Sequence, residues 1–301
     1  MTFRVLKFSV SLAILGLLVW WSDPGAILAQ LRGAEPAWIG LALTAVTLAT
    51  LSMARRWQLV ARRFDIYMEY GIALREYYFG QLVNATLPGG VAGDVARAVR
   101  ARGTADLTRA AQSVAAERVL GQIAMLGVMG AGMVTALAIP GGPEWAGLGW
   151  GVLAVLVALV LASLVVARTN TATGRFVGTT VRGLRSFEML FHGLFTTFCL
   201  ILGFYAAARA VGTAIPMQGW ATLIPLVLCA MLIPLSINGW GWREGAAAAL
   251  FPVVGFPAST GVAAGITYGV VLFISVLPGV LILITQTYFN PLPTKGHTDP
   301  T

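Results

Sequence analysis

Residues Tyr77–Arg102, YYFGQLVNATLPGGVAGDVARAVRAR, decide the fold of this chain. Within these residues, Tyr77–Val95 is fairly apolar, is broken by Asn84 and by Pro88-Gly89-Gly90, and lies between two clusters of arginines. Arginine-rich loops of membrane proteins stay on the cytoplasmic side. A segment that begins and ends on one side, and is too short to cross twice, must enter the membrane and return. We therefore predict a re-entrant helical hairpin with its tip near Asn84–Gly90.

The composition of the whole chain is that of a polytopic membrane protein. Of 301 residues, 57% are hydrophobic and only 11% are charged, and the mean hydropathy is +0.80. Soluble domains carry roughly 25% charged residues, so this chain cannot cover a water-facing surface, which excludes a soluble enzyme. The net charge of +8 comes from arginines clustered between apolar runs. That placement indicates loops facing anionic lipid rather than nucleic acid.

Six apolar runs approach the length of about 20 residues that crosses a bilayer core. They are Val5–Trp21, Trp38–Met53, Val119–Ile139, Trp145–Ala167, Met189–Ala210 and Thr260–Thr285. We expect the first to be a retained span, because bulky Trp20 and Trp21 stand where a signal peptidase needs small residues. The basic loops place both termini in the cytoplasm. We interpret the following loop arginines as topology signals alone: Arg55, Arg56, Arg62, Arg63, Arg168, Arg175, Arg182 and Arg185.

A second interrupted stretch, Trp220–Pro257, predicts a second hairpin. Its breaks are expected at Pro225, Pro234, Asn238–Gly241 and Pro252. Each half of the chain then contains span, span, hairpin and span, in opposite orientations, and the hairpin acids Asp94 and Glu244 are 150 residues apart. Inverted repeats with broken helices are typical of secondary transporters.

The predicted fold class is an all-α polytopic membrane protein with six transmembrane helices and two re-entrant helical hairpins, arranged as two inverted repeats. We expect residues 1–301 to form a single integral membrane domain, with inverted halves at about 1–142 and 143–290 and a polar tail at 291–301.

Charged groups inside a membrane cost ~2.5–3.5 kcal/mol each on insertion scales, so they are candidates for function. Three groups stand out: Arg75 with Glu76, Asp94 and Arg97 with Glu117 and Arg118, and Arg243 with Glu244. An arginine beside glycine amides and a helix N-terminus suits a phosphate. The alternative is that these acids and arginines pair only to hold the hairpins, and both roles can coexist. The predicted substrate-binding residues are Arg97, Arg118, Arg243, Asp94, Glu117, Glu244, Asn84, Asn238, Gly89, Gly90 and Trp242.

Three of these candidates also have ordinary structural interpretations. Asn84 and Asn238 can contact a headgroup, although capping a broken helix is the commoner role for such a residue. Trp242 can stack on substrate, although membrane tryptophans usually mark interfaces.

Cys199 and Cys229 lie in apolar stretches and indicate neither a disulfide nor a metal site. The chain contains no GxxxxGK[ST], HExxH, CxxC or GxSxG motif, so we predict no ATPase, no catalytic residues, no metal and no cofactor.

Three stretches resemble the lysylphosphatidylglycerol synthase transmembrane region family, the flippase part of the bacterial multiple peptide resistance factor. They are Arg55–Ile66 leading to Tyr77–Arg102, Ala110–Gly121 (AAQSVAAERVLG) and Ile233–Phe251 (IPLSINGWGWREGAAAALF). The family pattern maps onto Pro88, Gly89, Gly90, Gly93, Asp94, Arg97, Glu117, Arg118, Arg243, Glu244 and Gly245. The resemblance implies lipid translocation between leaflets, with a cavity at the hairpins that receives the headgroup. We expect a stand-alone member without the soluble aminoacyl-transferase domain.

The expected function is that of a lipid flippase or scramblase of the bacterial inner membrane. Its cargo would be a phosphate-bearing phospholipid, glycolipid or polyprenyl-linked lipid, held by the arginines. Its partners would be lipids with anionic headgroups, with a homo-oligomer or a lipid-synthesis enzyme as a further possibility and nucleic acid excluded. Two alternatives stay open: an intramembrane lipid-modifying transferase that uses Asp94 or Glu117 as base, and a non-transporting assembly partner of a lipid-synthesis enzyme.

Overall fold

The computed structural model of the protein describes residues 2–87, 91–101, 106–138, 146–184, 186–233 and 238–288. Within these ranges every regular element is a helix, which confirms the all-α prediction. The first half contains α1 (Thr2–Trp21), α2 (Pro24–Arg32), α3 (Pro36–Arg62), α4 (Tyr70–Thr86), α5 (Ala92–Ala101) and α6 (Leu107–Ala138). The second half contains α7 (Ala146–Ala167), α8 (Ala172–Gly183), α9 (Phe187–Ala210), α10 (Met217–Trp220), α11 (Leu223–Ala230), α12 (Trp242–Leu250), α13 (Ala258–Ser275) and α14 (Pro278–Tyr288). A 3-10 turn, Phe251–Val254, follows α12, and the predicted tail 291–301 lies outside the described residues.

The described residues contain five helices that are long and apolar enough to cross a membrane. These are Pro36–Arg62, Leu107–Ala138, Gly149–Ala167, Phe187–Ala210 and the joined pair Ala258–Ile284. A sixth is reached if α1 and α2, which are bent by 96° at their junction, count as one span. The chain is therefore a polytopic membrane protein, and its long helices fall on the predicted apolar runs.

Two predicted loops contain short helices instead. The first, after Trp21, holds α2, which begins where Asp23 accepts a hydrogen bond from the amide of Ala26 at 3.1 Å and where Pro24 pre-sets the first helical turn. The second holds α8, whose start is capped by Thr171 through a 3.0 Å bond from the amide of Gly174. Both caps are local signals, so these helices were within reach of sequence analysis.

The prediction that α3 ends at Met53 is wrong. The helix continues to Arg62, because the residues that follow Met53 are good helix formers without a glycine or proline. Arg55 and Arg56 are consequently helical residues and not loop residues, which changes their role in the site described below.

The first predicted hairpin is present as helix, break and helix. Helix α4 ends at Thr86 and α5 begins at Ala92, so the break overlaps the predicted tip at Asn84–Gly90, and the two helices pack on each other. Their closest approach is at Gly80 and Gly93, where a Cβ atom on Gly93 would overlap the carbonyl oxygen of Gly80. Only glycine allows two backbones to come so close.

The second hairpin consists of α11 and α12, which also pack on each other. The break between them includes Asn238–Gly241, as predicted, and three of its described residues have positive φ angles: Asn238, Gly239 and Gly241. Pro225 does not interrupt a helix, because it lies in the first turn of α11, where the amide hydrogen that proline lacks would have no partner within the helix.

The helix contacts are paired across the two halves of the chain. The most extensive packing joins α3 to α9, the second long helix of each half. Helix α6 packs on α9 while α13 packs on α3, and α4 contacts α14 while α11 contacts α6. Such reciprocal contacts are expected of two related halves. The inverted orientation of the halves stays a prediction.

The glycine contact in the first hairpin leads to a stability prediction. Gly93→Ala should destabilise the protein by about 1–3 kcal/mol, because the added methyl group forces α4 and α5 apart. Gly71→Ala is the matched control, since a Cβ atom at Gly71 in α4 meets no atom within 4 Å. The thermal midpoint of the detergent-purified protein, followed by tryptophan fluorescence, measures both. Equal midpoints for the two variants would contradict the close approach.

Candidate functional site

The first half of the chain buries an ion pair between α3 and α6. Arg56 donates from Nη2 and Nε to the same oxygen, Oε1, of Glu117 at 2.6 and 3.1 Å. The two residues are only 3% and 1% exposed. Removal of either partner would leave an uncompensated charge in a low-dielectric interior, which is strongly unfavourable.

Arg97 of α5 joins the other oxygen of Glu117. Its Nη2 lies 3.4 Å from Oε2 of Glu117 and 3.1 Å from Oδ1 of Asp94, which precedes it by three residues on the same helix face. The guanidinium also stacks on the rings of Trp57 and Tyr77, with its carbon 4.6 and 4.4 Å from the ring centroids. Arg97 is therefore held by both charge and aromatic contacts.

Arg118 completes the row of charges. Its Nη2 lies 2.5 Å from Oδ2 of Asp94, yet 47% of its side chain remains exposed. The row consists of Arg56, Glu117, Arg97, Asp94 and Arg118, in that order. Two carboxylates face three arginines, so the cluster carries an excess of positive charge.

The arginines of this cluster are not fully satisfied by protein groups. Arg56 Nη1 and Arg97 Nε are buried and have no hydrogen-bond partner in the described part of the chain. A buried donor without an acceptor costs free energy. An anion or ordered water at this position would remove that cost, and the excess positive charge favours an anion.

A cavity of about 450 Å³ adjoins the cluster and reaches the breaks of both hairpins. Its polar lining includes Arg56, Arg97, Arg118, Asp94, Glu117, Asn84, Asn238, Gln81, Gln122, Thr196 and Thr197. Its apolar lining includes Val46, Met125, Leu200, Leu228, Leu272 and Val276. The cavity thus offers a charged wall and an apolar wall to one occupant.

The second hairpin holds a separate ion pair that is closed off. Nη2 of Arg243 lies 2.5 Å from Oε1 of Glu244, and both side chains are fully buried. Oε2 of Glu244 also accepts from the amide of Gly241 at 2.7 Å, which stabilises the start of α12. Arg243 stacks on Trp240, and a Cβ atom on Gly269 of α13 would overlap its guanidinium. Neither member of the pair lines the cavity.

The remaining predicted site residues differ in whether they line the cavity. Asn84 lines the cavity and accepts from the amide of Gly93 at 2.7 Å, so it caps the first turn of α5. Asn238 lines the cavity at the break of the second hairpin. Trp242 is half-buried outside the cavity, with a buried indole nitrogen that has no acceptor among the described residues. Gly89 and Gly90 lie outside the described residues.

Glu76, another charged residue that the sequence singles out as a candidate for function, forms ion pairs within the first hairpin. Its carboxylate accepts from Arg100 at 2.5 and 2.9 Å and lies 3.3 Å from Arg75. Because Glu76 is on α4 and Arg100 on α5, this pair joins the two hairpin helices away from the cavity.

Sequence analysis missed Arg56 and Tyr77. The interpretation of Arg56 as a topology signal alone is wrong, because this residue is buried in the cluster. Its spacing of seven residues from Ala49 and fourteen from Ala42, both buried on α3, places all three on one helix face. Continuing the seven-residue spacing of buried positions beyond Met53 would have identified Arg56 as a buried residue. Tyr77, whose hydroxyl lies 3.4 Å from Glu117, has no comparable signal.

The comparison with known families gives one match. The family model described as "Lysylphosphatidylglycerol synthase TM region" matches residues 8–279 of this chain. The matched region includes every residue of the charge cluster and of the Arg243–Glu244 pair. A comparison with curated proteins found no match.

Two neighbouring arginines test whether the cluster is structural. Arg56→Met should lower the free energy of unfolding by about 3–5 kcal/mol, the usual cost of breaking a buried ion pair. Arg55→Met should cost about 0–1 kcal/mol, because Arg55 is one-third exposed and lies 3.9 Å from an exposed Glu188. Chemical denaturation of the purified variants measures the difference. If the two arginines served only as topology signals, their substitutions would have equal effects.

Proposed function

The chain belongs to the lysylphosphatidylglycerol synthase TM region family, and from this premise we propose that it moves a lipid with a phosphate-bearing headgroup between the two leaflets of a bilayer. Family membership indicates a lipid-related function in a membrane. The cavity that adjoins three arginines and two carboxylates carries the proposal further, because it combines an excess of positive charge with an apolar wall. A phosphate with a hydrocarbon chain has both of the matching properties.

The roles of the charged residues follow from their contacts. Arg118 is the proposed first contact for the phosphate, because it lines the cavity and is half exposed. Arg97 lies deeper and is positioned by Glu117, Trp57 and Tyr77. Asp94 pairs with both arginines, and an anion can replace it as the partner of either one.

The Arg243–Glu244 pair is the proposed counterpart in the second hairpin. It is closed in the present conformation, so a headgroup would reach Arg243 only after α12 and α13 separate. Inverted-repeat transporters expose their sites to the two sides of the membrane in turn. On this proposal the structure has the first hairpin accessible and the second one occluded.

The remaining aspects of the proposal concern location and partners. The arginine-rich segments favour cytoplasmic termini in a bacterial inner membrane. The partners are anionic lipids, with a homo-oligomer or a lipid-synthesis enzyme as further candidates. We propose transport rather than lipid modification, so lipids recovered after incubation with the protein should keep their mass.

Arg118 supplies the direct test of headgroup binding. Arg118→Met should slow transport roughly ten- to hundredfold, since a hydrogen bond to a charged group is worth about 1.5–3 kcal/mol. The measurement uses vesicles with a fluorescent phosphatidylglycerol, phosphatidate or polyprenyl phosphate, whose outer-leaflet fraction is bleached by dithionite. Arg109→Met is the matched control, because Arg109 lies on the same helix but pairs with the exposed Asp65. Equal transport by both variants, or no transport of any probe by the wild type, would contradict the proposal.

Lipid retention can separate the two arginine sites. The wild type and Arg243→Met should both retain anionic lipid in mild detergent, because Arg243 does not line the open cavity, while Arg118→Met should lose it. Arg243→Met should nevertheless transport slowly, since its site is used after the conformational change. Native mass spectrometry and the vesicle assay give the two readouts. Wild-type transport by Arg243→Met would remove Arg243 from the mechanism.

A further inference from the structure

The exposed members of the cavity lining show where the cavity opens. Of the lining residues that the structure describes, three are exposed: Val91 at 56%, Leu232 at 48% and Arg118, whose side chain is 47% exposed. The other described lining residues are buried or half-buried. A residue that borders the cavity and is also exposed lies at its entrance. These three residues, named here the mouth, therefore mark the entrance.

The mouth lies between the breaks of the two hairpins. Val91 immediately precedes α5, Leu232 follows α11, and Arg118 lies on α6. The same helices carry further exposed apolar residues, Val95 on α5 at 62% and Val119 on α6 at 41%. Among the described residues on these helices, the exposed side chains at and beside the mouth are thus apolar apart from Arg118.

An entrance facing water would expose these apolar side chains at a cost of about 25 cal/mol per Å². An entrance facing hydrocarbon exposes the same side chains without that free-energy cost. A single arginine there can keep its guanidinium in the polar interior while its stem contacts lipid. We propose that the cavity opens sideways into the bilayer through the mouth, and that the acyl or polyprenyl chain of the cargo stays outside it against Val91, Val95, Val119 and Leu232. This inference rests on the proposed function and adds the route by which the lipid enters.

The Asp94–Arg118 pair is the contact that the headgroup replaces on entry. It connects α5 to α6 at the mouth. When a phosphate takes the place of Asp94 on Arg118, Asp94 keeps its 3.1 Å contact with Arg97. No buried charge is left without a partner during the exchange, so the exchange avoids the large cost of an isolated ion.

Spin-label accessibility tests the direction of the mouth. Single cysteines replace Val91 and Leu232 in a chain whose Cys199 and Cys229 are alanine, and the labelled full-length protein is reconstituted in phosphatidylglycerol-containing vesicles. Val157→Cys on α7, 56% exposed, is the lipid-facing control, and Tyr67→Cys, 79% exposed between α3 and α4, is the water-facing control. Labels at both mouth positions should match the Val157 label in their high collision rate with oxygen and low rate with a water-soluble nickel chelate. Labels that match the Tyr67 label instead would overturn the sideways opening.

Transport by the wild type separates this inference from the proposed function. Transport with water-exposed mouth labels would refute the sideways route and leave the function intact. If the labels are exposed to lipid but no probe is transported, the entrance faces the bilayer as proposed and the proposed transport function is refuted.

Asp94→Asn tests the exchange. The variant removes the carboxylate that competes for Arg118, so native mass spectrometry should find more phosphatidylglycerol retained per protein than in the wild type. Asp65→Asn is the matched control, since Asp65 is exposed and pairs with Arg109 away from the cavity. Retention that falls, or that stays equal to the control, would overturn the competition between Asp94 and phosphate.

Discussion

The structure depends on the contact of one buried carboxylate, Glu117, with two buried arginines. Arg56 and Arg97 come from different helices and approach different oxygens of one carboxylate on a third helix. Neither arginine is more than 3% exposed, so without Glu117 their mutual repulsion in a low-dielectric interior would separate α3, α5 and α6. The cavity wall exists because this carboxylate holds three helices together at one point.

The glycine contacts meet a second requirement, which is to bring the charges within reach of each other. Helix α5 approaches α4 closely at Gly93, and α12 approaches α13 closely at Gly261, Gly265 and Gly269. Small residues provide such proximity in membranes, where lipid competes for apolar side chains and hydrophobic burial between helices is weak. Glycine therefore determines helix spacing here, while the ion pairs determine which faces meet.

Much of the architecture could be predicted, because hydropathy and arginine distribution are strong signals over whole spans. Within the site, the spacing of Asp94 and Arg97 was enough to place them on one helix face. Arg56 was missed because a hydropathy window ends where the charges begin, although the helix continues. The closure of Arg243 could not be predicted, because it depends on Gly269, twenty-six residues further along the chain, and on the packing of α12 against α13.

The two hairpins differ in chemistry as well as in accessibility. At the offset of 150 residues that relates Asp94 to Glu244, Arg97 corresponds to Ala247 and Glu117 to Thr267. At these two positions the second half lacks the charges that cross-link the first, and among the described residues the carboxylate that pairs with Arg243 is that of its immediate neighbour. An arginine paired within its own helix keeps its carboxylate when that helix moves, although Arg243 also contacts Tyr268 of α13. The pairs of the first cluster join three helices and would have to break before those helices could separate. The two hairpins are therefore held by different contacts, ion pairs between helices in the first and close glycine packing of α12 on α13 in the second.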